Sequence, residues 1–154
     1  MLLQSKDTNS YEAALIADFL RQLLITKGET FSFETVMSHP SKLEIFKNAQ
    51  AAGFKNYLYF ISTESADINV NRVQERSQKG GHPVNEQKIR ERYLRSMALL
   101  SEMIPYCRRC FIFDNSTDSY RLIAEIENGN IIKSHSDDLP DWIDTYVLLK
   151  LGIW

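Results

Sequence analysis

The run Asn56-Tyr57-Leu58-Tyr59-Phe60-Ile61-Ser62-Thr63 most constrains what this chain can fold into. It is apolar or aromatic on both alternations, so it reads as a strand buried on both faces, as in a parallel sheet lying between helices. A second run, Arg109-Cys110-Phe111-Ile112-Phe113-Asp114-Asn115, has the same character and ends in polar residues.

The remaining elements follow from period and punctuation. In residues 11–27, Ala13, Ile16, Ala17, Leu20, Leu23 and Leu24 share one helical face, with Ser10 as N-cap and Gly28 past the last turn. This predicts an amphipathic helix lying on a core. Residues 30–36, Thr-Phe-Ser-Phe-Glu-Thr-Val, predict a strand, with Glu34 near the end where α/β folds place ligands; the alternative is an edge-strand glutamate in solvent. Ser38 and Pro40 open a helix with Leu43, Phe46 and Ala49 as its buried stripe, and Gly53 closes it. Strand, helix and strand over residues 30–63 make a parallel unit.

Beyond it, Ser65 caps a helix with Asp67 in its first turn, and Gly80-Gly81 breaks that helix. Asn85 caps the next, whose stripe is Ile89, Tyr93, Met97, Leu100 and Ile104 and which Pro105 ends. Residues 120–126 and 130–133 form a hairpin across Asn128-Gly129, and residues 141–151 a last helix packing Trp142, Val147 and Leu151. No repeat, low-complexity segment or linker divides the chain, so residues 1–154 read as one domain.

Residues 72–95 carry Arg72, Arg76, Lys79, Lys88, Arg90, Arg92 and Arg95, seven of the 18 Lys and Arg residues. Two arginine-bearing helices around Gly80-Gly81-His82-Pro83 suggest an arm that closes on phosphates, since arginine meets phosphate oxygens in pairs. The alternative is a solvated face of salt-bridged helices. The formal net charge of −2 argues against general nucleic-acid binding. The aromatic residues point the same way, because they fall in the strands expected to be buried and not beside the arginines. No run approaches the ~20 apolar residues of a membrane span, and Met1-Leu2-Leu3 soon gives way to polar residues. The expectation is a cytoplasmic protein with no membrane and no nucleic-acid partner.

Cys107 and Cys110 form a C-x-x-C. Because Cys110 opens a buried strand, both read as core thiols and not as a redox pair. His39, His82 and His135 are scattered, which gives no zinc site.

Three segments, taken in order, resemble the zeta-toxin family of P-loop kinases. They are Phe31-Ser32-Phe33-Glu34-Thr35; then Arg72-Val73 through Arg76, Gly80-Gly81-His82, Ile89 and Arg92-Tyr93; and Phe113-Asp114-Asn115-Ser116. The resemblance covers about residues 11–123. It implies an α/β, P-loop-kinase-like three-layer domain with a mostly parallel sheet, here N-terminally incomplete, plus a small C-terminal β-hairpin. It also implies an ATP-dependent small-molecule phosphotransferase using Mg2+, with a uridine-nucleotide amino sugar as the typical acceptor and an antitoxin protein as a further partner. Carried over by position, Glu34 and Thr35 bind the acceptor. Arg76 is the lid arginine that reaches the ATP phosphates, and Arg92 is a second catalytic arginine. Asp114 and Asn115 stand at the strand end near the nucleotide.

The chain departs from the family in two ways. It contains no G-x-x-x-x-G-K-[ST] and no counterpart of the general-base aspartate, and it has Val36 where the family often has a second threonine after Glu-Thr. These 154 residues are therefore expected to bind ATP weakly and to transfer no phosphate. The alternative is a non-catalytic module that binds a partner on a degenerate kinase scaffold. In such kinases the missing strand lies between those matching residues 30–36 and 56–63. Either these two pair directly, or the chain associates through an exposed strand edge.

Overall fold

The computed structural model describes residues 6–136 and 139–152, so Met1-Leu2-Leu3 lies outside the described residues. The two apolar runs form β1 (Tyr57–Ser62) and β2 (Arg109–Asp114), paired in parallel from Tyr57 opposite Arg109 to Ser62 opposite Asp114. Their crossover consists of α3 (Ala66–Gln78) and α4 (Glu86–Met103), then a 3-10 turn at Ile104–Tyr106 that contains Pro105. Asn85 caps α4 as expected, its side chain accepting from the Lys88 N–H at 3.2 Å.

β3 (Arg121–Glu127) and β4 (Asn130–Ser134) form the expected hairpin, turned by Asn128 and Gly129 at φ 49° and 81°. Two successive positive φ values match the right-handed twist of the strands they join. The sheet order is β1-β2-β3-β4 with one parallel and two antiparallel pairings. The fold is mixed α/β, and the expectation of a mostly parallel sheet is corrected: β3 returns from β2 by a short connection, which only antiparallel pairing permits.

One face of the sheet is packed. Leu58 and Phe60, Cys110 and Ile112, and Ala124 and Ile126 meet Met97, Leu100 and Met103 of α4, Phe46 of α2 (Ser41–Ala51), and Trp142, Ile143 and Val147 near the C-terminus. Met97, Leu100 and Ile112 are fully buried, each worth about 1.5–3 kcal/mol in apolar transfer. The C-terminal segment forms as one helical run, α5 (Asp141–Ile143), a π-turn (Asp144–Leu148) and α6 (Leu149–Leu151).

The other face is bare. Tyr57, Tyr59 and Ile61 are 52%, 64% and 56% exposed, because no helix among the described residues covers them. The expectation that residues 56–63 are buried on both faces, and with it the three-layer arrangement, is corrected to two layers.

Two further expectations fail. Residues 30–36 form no strand. Phe31 and Phe33 are anchored instead by Phe54, Ile45 and Ala49, while Thr35 Oγ1 accepts from the Met37 N–H at 3.1 Å and Met37 turns at φ 54°. The segment leaves the extended path before it can reach β1, so the direct strand pairing does not occur. The first helix, α1 (Lys6–Lys27), begins before Ser10, and its stripe does not lie on the core. Ile16 and Leu20 are 61% and 50% exposed, and the described contacts come from its C-terminal half, through Ile25, the Asp18–Lys42 ion pair and Arg21 over Phe33.

Candidate functional site

The failed pairing leaves a groove of about 1670 Å3 between residues 30–37 and the free edge of β1. α2, α3 and α4 supply the rest of its walls. Five of the six sequence-derived candidates line it: Glu34, Thr35, Arg76, Arg92 and Asn115.

Arg76 comes from the last turn of α3 and Arg92 from α4. Among the described residues neither guanidinium forms an ion pair or hydrogen bond, whereas Arg90 pairs with Asp67 and Glu86, and Arg95 with Glu91. The difference is helical phase. Arg92 falls on the same side of α4 as Ile89, Ser96 and Met97, which also line the groove, and Arg90 faces the start of α3. Guanidinium groups without partners, in a groove whose sole carboxylate is Glu34, are suited to bind an anion.

Gly80-Gly81 ends α3 in a defined way. Gly80, at φ 94°, donates to the Ser77 carbonyl, and Gly81 donates to the Arg76 carbonyl at 2.9 Å. This double closure is the Schellman motif, so the glycine pair is a helix stop that fixes where the backbone of Arg76 ends up.

At the C-terminal end of β1 a polar network joins the two parallel strands. Ser116 Oγ donates to Asp114 Oδ1 at 2.6 Å and accepts from the Glu64 N–H at 2.8 Å, and the Asn115 N–H donates to the Ser62 carbonyl at 2.7 Å. Asp114 also meets Arg121 at 3.4 Å and is buried, so it shapes the loop beneath the groove and does not face it. Thr35 likewise uses its hydroxyl to hold the turn at Met37. Glu34 is exposed in the segment facing β1.

Residues to which the sequence assigned no role at the site complete this end. Tyr93 Oη donates to the Thr63 carbonyl at 2.9 Å, and Asn69 Nδ2 to Thr63 Oγ1 at 2.9 Å. Burial pushes the Tyr93 phenol up to about 12, so it stays a donor throughout the physiological range. Arg72 lines the groove but spends one N–H on the Thr117 carbonyl at 2.9 Å. Thr63 ended the apolar run and Asn69 fell inside the next helix, so neither position carried a signal in the sequence.

The aromatic residues also depart from expectation. On the bare face Tyr59 and Phe111 stack with centroids 4.9 Å apart, and Tyr120 meets Phe113 edge-on. Arg109 lies over Phe111 and pairs with Glu125, whose carboxyl is held below its usual range first by the hydrogen bond from His135. Cys107 and Cys110 are free and buried, as the core reading expected. Among the described residues no group of three or more His, Cys, Asp or Glu side chains could hold a metal ion, and no helix is long and apolar enough to cross a membrane.

No family model, no curated protein and no solved structure matches the chain.

Proposed function

We propose that the groove is the phosphate- and acceptor-binding side of an ATP-dependent small-molecule phosphotransferase of the zeta-toxin kind, on a P-loop-kinase-like scaffold. One observation carries this reading: Arg76 and Arg92, from different helices and without carboxylate partners among the described residues, line the same groove as Glu34 and Asn115. Phosphoryl transfer depends on positioning and on neutralising charge spread over the transferred oxygens, and paired arginines serve both. On this reading Arg76 and Arg92 face the phosphates, and Glu34 accepts a hydrogen bond from an acceptor hydroxyl, with the turn at Thr35 and Met37 holding it in place. Asn115 borders the nucleotide, and Asp114 supports the loop from below. Mg2+ would enter with ATP on its phosphates. The typical acceptor of the resembled family, a uridine-nucleotide amino sugar, has a diphosphate that suits the same arginines.

The test is titration of the chain with a uridine diphosphate amino sugar and, separately, with ATP and Mg2+. Binding of the sugar nucleotide should perturb residues of the groove and weaken at least tenfold in Arg76→Ala and in Arg92→Ala. Unchanged affinity in both variants would sink the assignment. With no G-x-x-x-x-G-K-[ST] among them, these 154 residues should bind ATP weakly and show no turnover.

A second reading, a non-catalytic module that binds a protein partner such as an antitoxin, is favoured by the bare sheet face of Tyr57, Tyr59 and Ile61. Tyr120→Ser, on the same face and outside the groove, would then weaken partner binding and leave the sugar-nucleotide titration unchanged.

A further inference from the structure

The edge of β1 offers a chemistry separate from that of the arginines. Along a strand, the backbone groups of alternate residues point to opposite sides. The Asn56 and Ser62 carbonyls point toward β2 and its flanks, accepting from Arg108 at 2.8 Å and from Asn115 at 2.7 Å. Leu58 and Phe60 share that phase. The N–H and C=O groups of Tyr57, Tyr59 and Ile61 therefore point the other way, into the groove. β1 pairs with β2 alone, so among the described residues these groups have no partner in the protein.

Exposed edges are usually blunted by a charge, a proline or a bulge. β1 has none of these: it reads Tyr-Leu-Tyr-Phe-Ile-Ser, and its pairing with β2 runs without a register shift.

We propose that the groove is a docking site for an extended polypeptide strand, which pairs with Tyr57, Tyr59 and Ile61 and adds a strand to the sheet. A row of unpaired amides repeating every second residue is complementary to another extended backbone. Phe33, Leu58 and Val73 line the groove and are only partly buried, so the incoming strand carries apolar side chains on alternate residues. The charged side chains lining the groove are Lys55, Arg72, Arg76 and Arg92 against Glu34 alone, so the strand is flanked by acidic groups. A second copy's β1 does not fit. In each copy residues 30–37 stand opposite the edge, and two walled edges cannot approach to the ~4.8 Å of paired strands.

The experiment uses the full chain and a blocked ten-residue peptide that alternates valine and threonine and ends in two glutamates. The peptide should bind and slow hydrogen exchange at the amides of Tyr57, Tyr59 and Ile61. The same peptide with its backbone fully N-methylated, which keeps the side chains and removes the donors, should bind at least tenfold more weakly. Tyr59→Pro, which deletes an outward N–H without touching the β2 ladder, should weaken the unmodified peptide similarly. If that variant does not fold, the comparison of the two peptides decides. Equal binding of both peptides to the native chain would overturn strand pairing in favour of simple apolar contact. Absence of binding would overturn the site, and a dimer that protects the same amides without peptide would replace the partner strand with a second copy.

Discussion

Arg90 Nη2 lies 2.6 Å from Asp67 Oδ1, which ties the first turn of α3 to the beginning of α4. Two residues further on, the Arg92 guanidinium has no partner among the described residues and faces the groove. Arg90 is exposed and also holds Glu86, so its role is to position one helix against the other, and exposed ion pairs of this kind contribute little to stability. Arg90→Ala should therefore shift the unfolding midpoint only slightly and leave phosphate-ligand affinity within about twofold. Arg92→Ala should leave the midpoint unchanged and weaken the ligand at least tenfold, a loss of about 1.4 kcal/mol or more. Thermal melts and titrations on the two variants check the contrast.

Gly81 positions Arg76 through its lack of a side chain. A Cβ at Gly81 would stand 2.8 Å from the Arg76 carbonyl oxygen and 3.0 Å from Arg76 Cγ, while its own N–H must still reach that carbonyl. Gly81→Ala should open the Schellman closure, fray the last turn of α3 and cost about 1 kcal/mol. It should also weaken phosphate-ligand binding, although Gly81 carries no group that touches a ligand. Titration and urea denaturation of the same variant measure both effects.

What was legible in the sequence and what was not divide along physical lines. β1, β2, the hairpin at Asn128-Gly129 and the caps at Asn85 and Gly53 are set by local pattern and turn chemistry, and all appear where expected. Residues 30–36 have strand propensity, but propensity cannot supply a partner, and the side chains of Phe31 and Phe33 found better packing than their backbone found pairing. The same limit explains α1 and the bare face of β1: apolar periodicity shows which side is suited to burial, not whether anything is there to bury it. At the site, the resemblance singled out Arg76 and Arg92, and helical phase, a local property, turns them to the groove while Arg90 and Arg95 pair with carboxylates. Thr63, Asn69 and Tyr93 were missed because their roles arise only when β1, α3 and α4 come together.

Asn56 is a further residue whose role depends on tertiary contact. Its side-chain amide donates to the Phe46 carbonyl and to the Tyr106 carbonyl, both at 2.8 Å, which joins α2 to the turn after α4 at the foot of β1. Asn56→Ala would strip a donor from two carbonyls in a half-buried setting and should cost about 2 kcal/mol. Asn56→Asp should cost more, since a carboxylate would then face two carbonyl oxygens. Chemical denaturation midpoints of both variants, with unchanged slope, would bear this out.

The buried thiols should make stability fall in alkali. Burial raises the Cys107 thiol from 9.0 to about 12 and raises Cys110 as well. A thiol is neutral when protonated, so a raised folded-state value means that the native state holds its proton longer than the unfolded chain. Below pH 9 both states are protonated and the thiols add no pH dependence. Above it the unfolded chain releases protons that the native state keeps, and stability drops by up to about 1.4 kcal/mol per pH unit for each thiol until the native thiol also ionises. Tyr93 is raised from 10.0 and so contributes only above pH 10, which leaves pH 9 to 10 as the window for the thiols. Urea denaturation under reducing conditions at pH 8, 9 and 10 should show this decline. Cys107→Ser, which keeps a donor toward the Met103 carbonyl and does not titrate, should remove roughly half of it. A profile as steep in the variant as in the native chain would mean that other groups carry the alkaline loss.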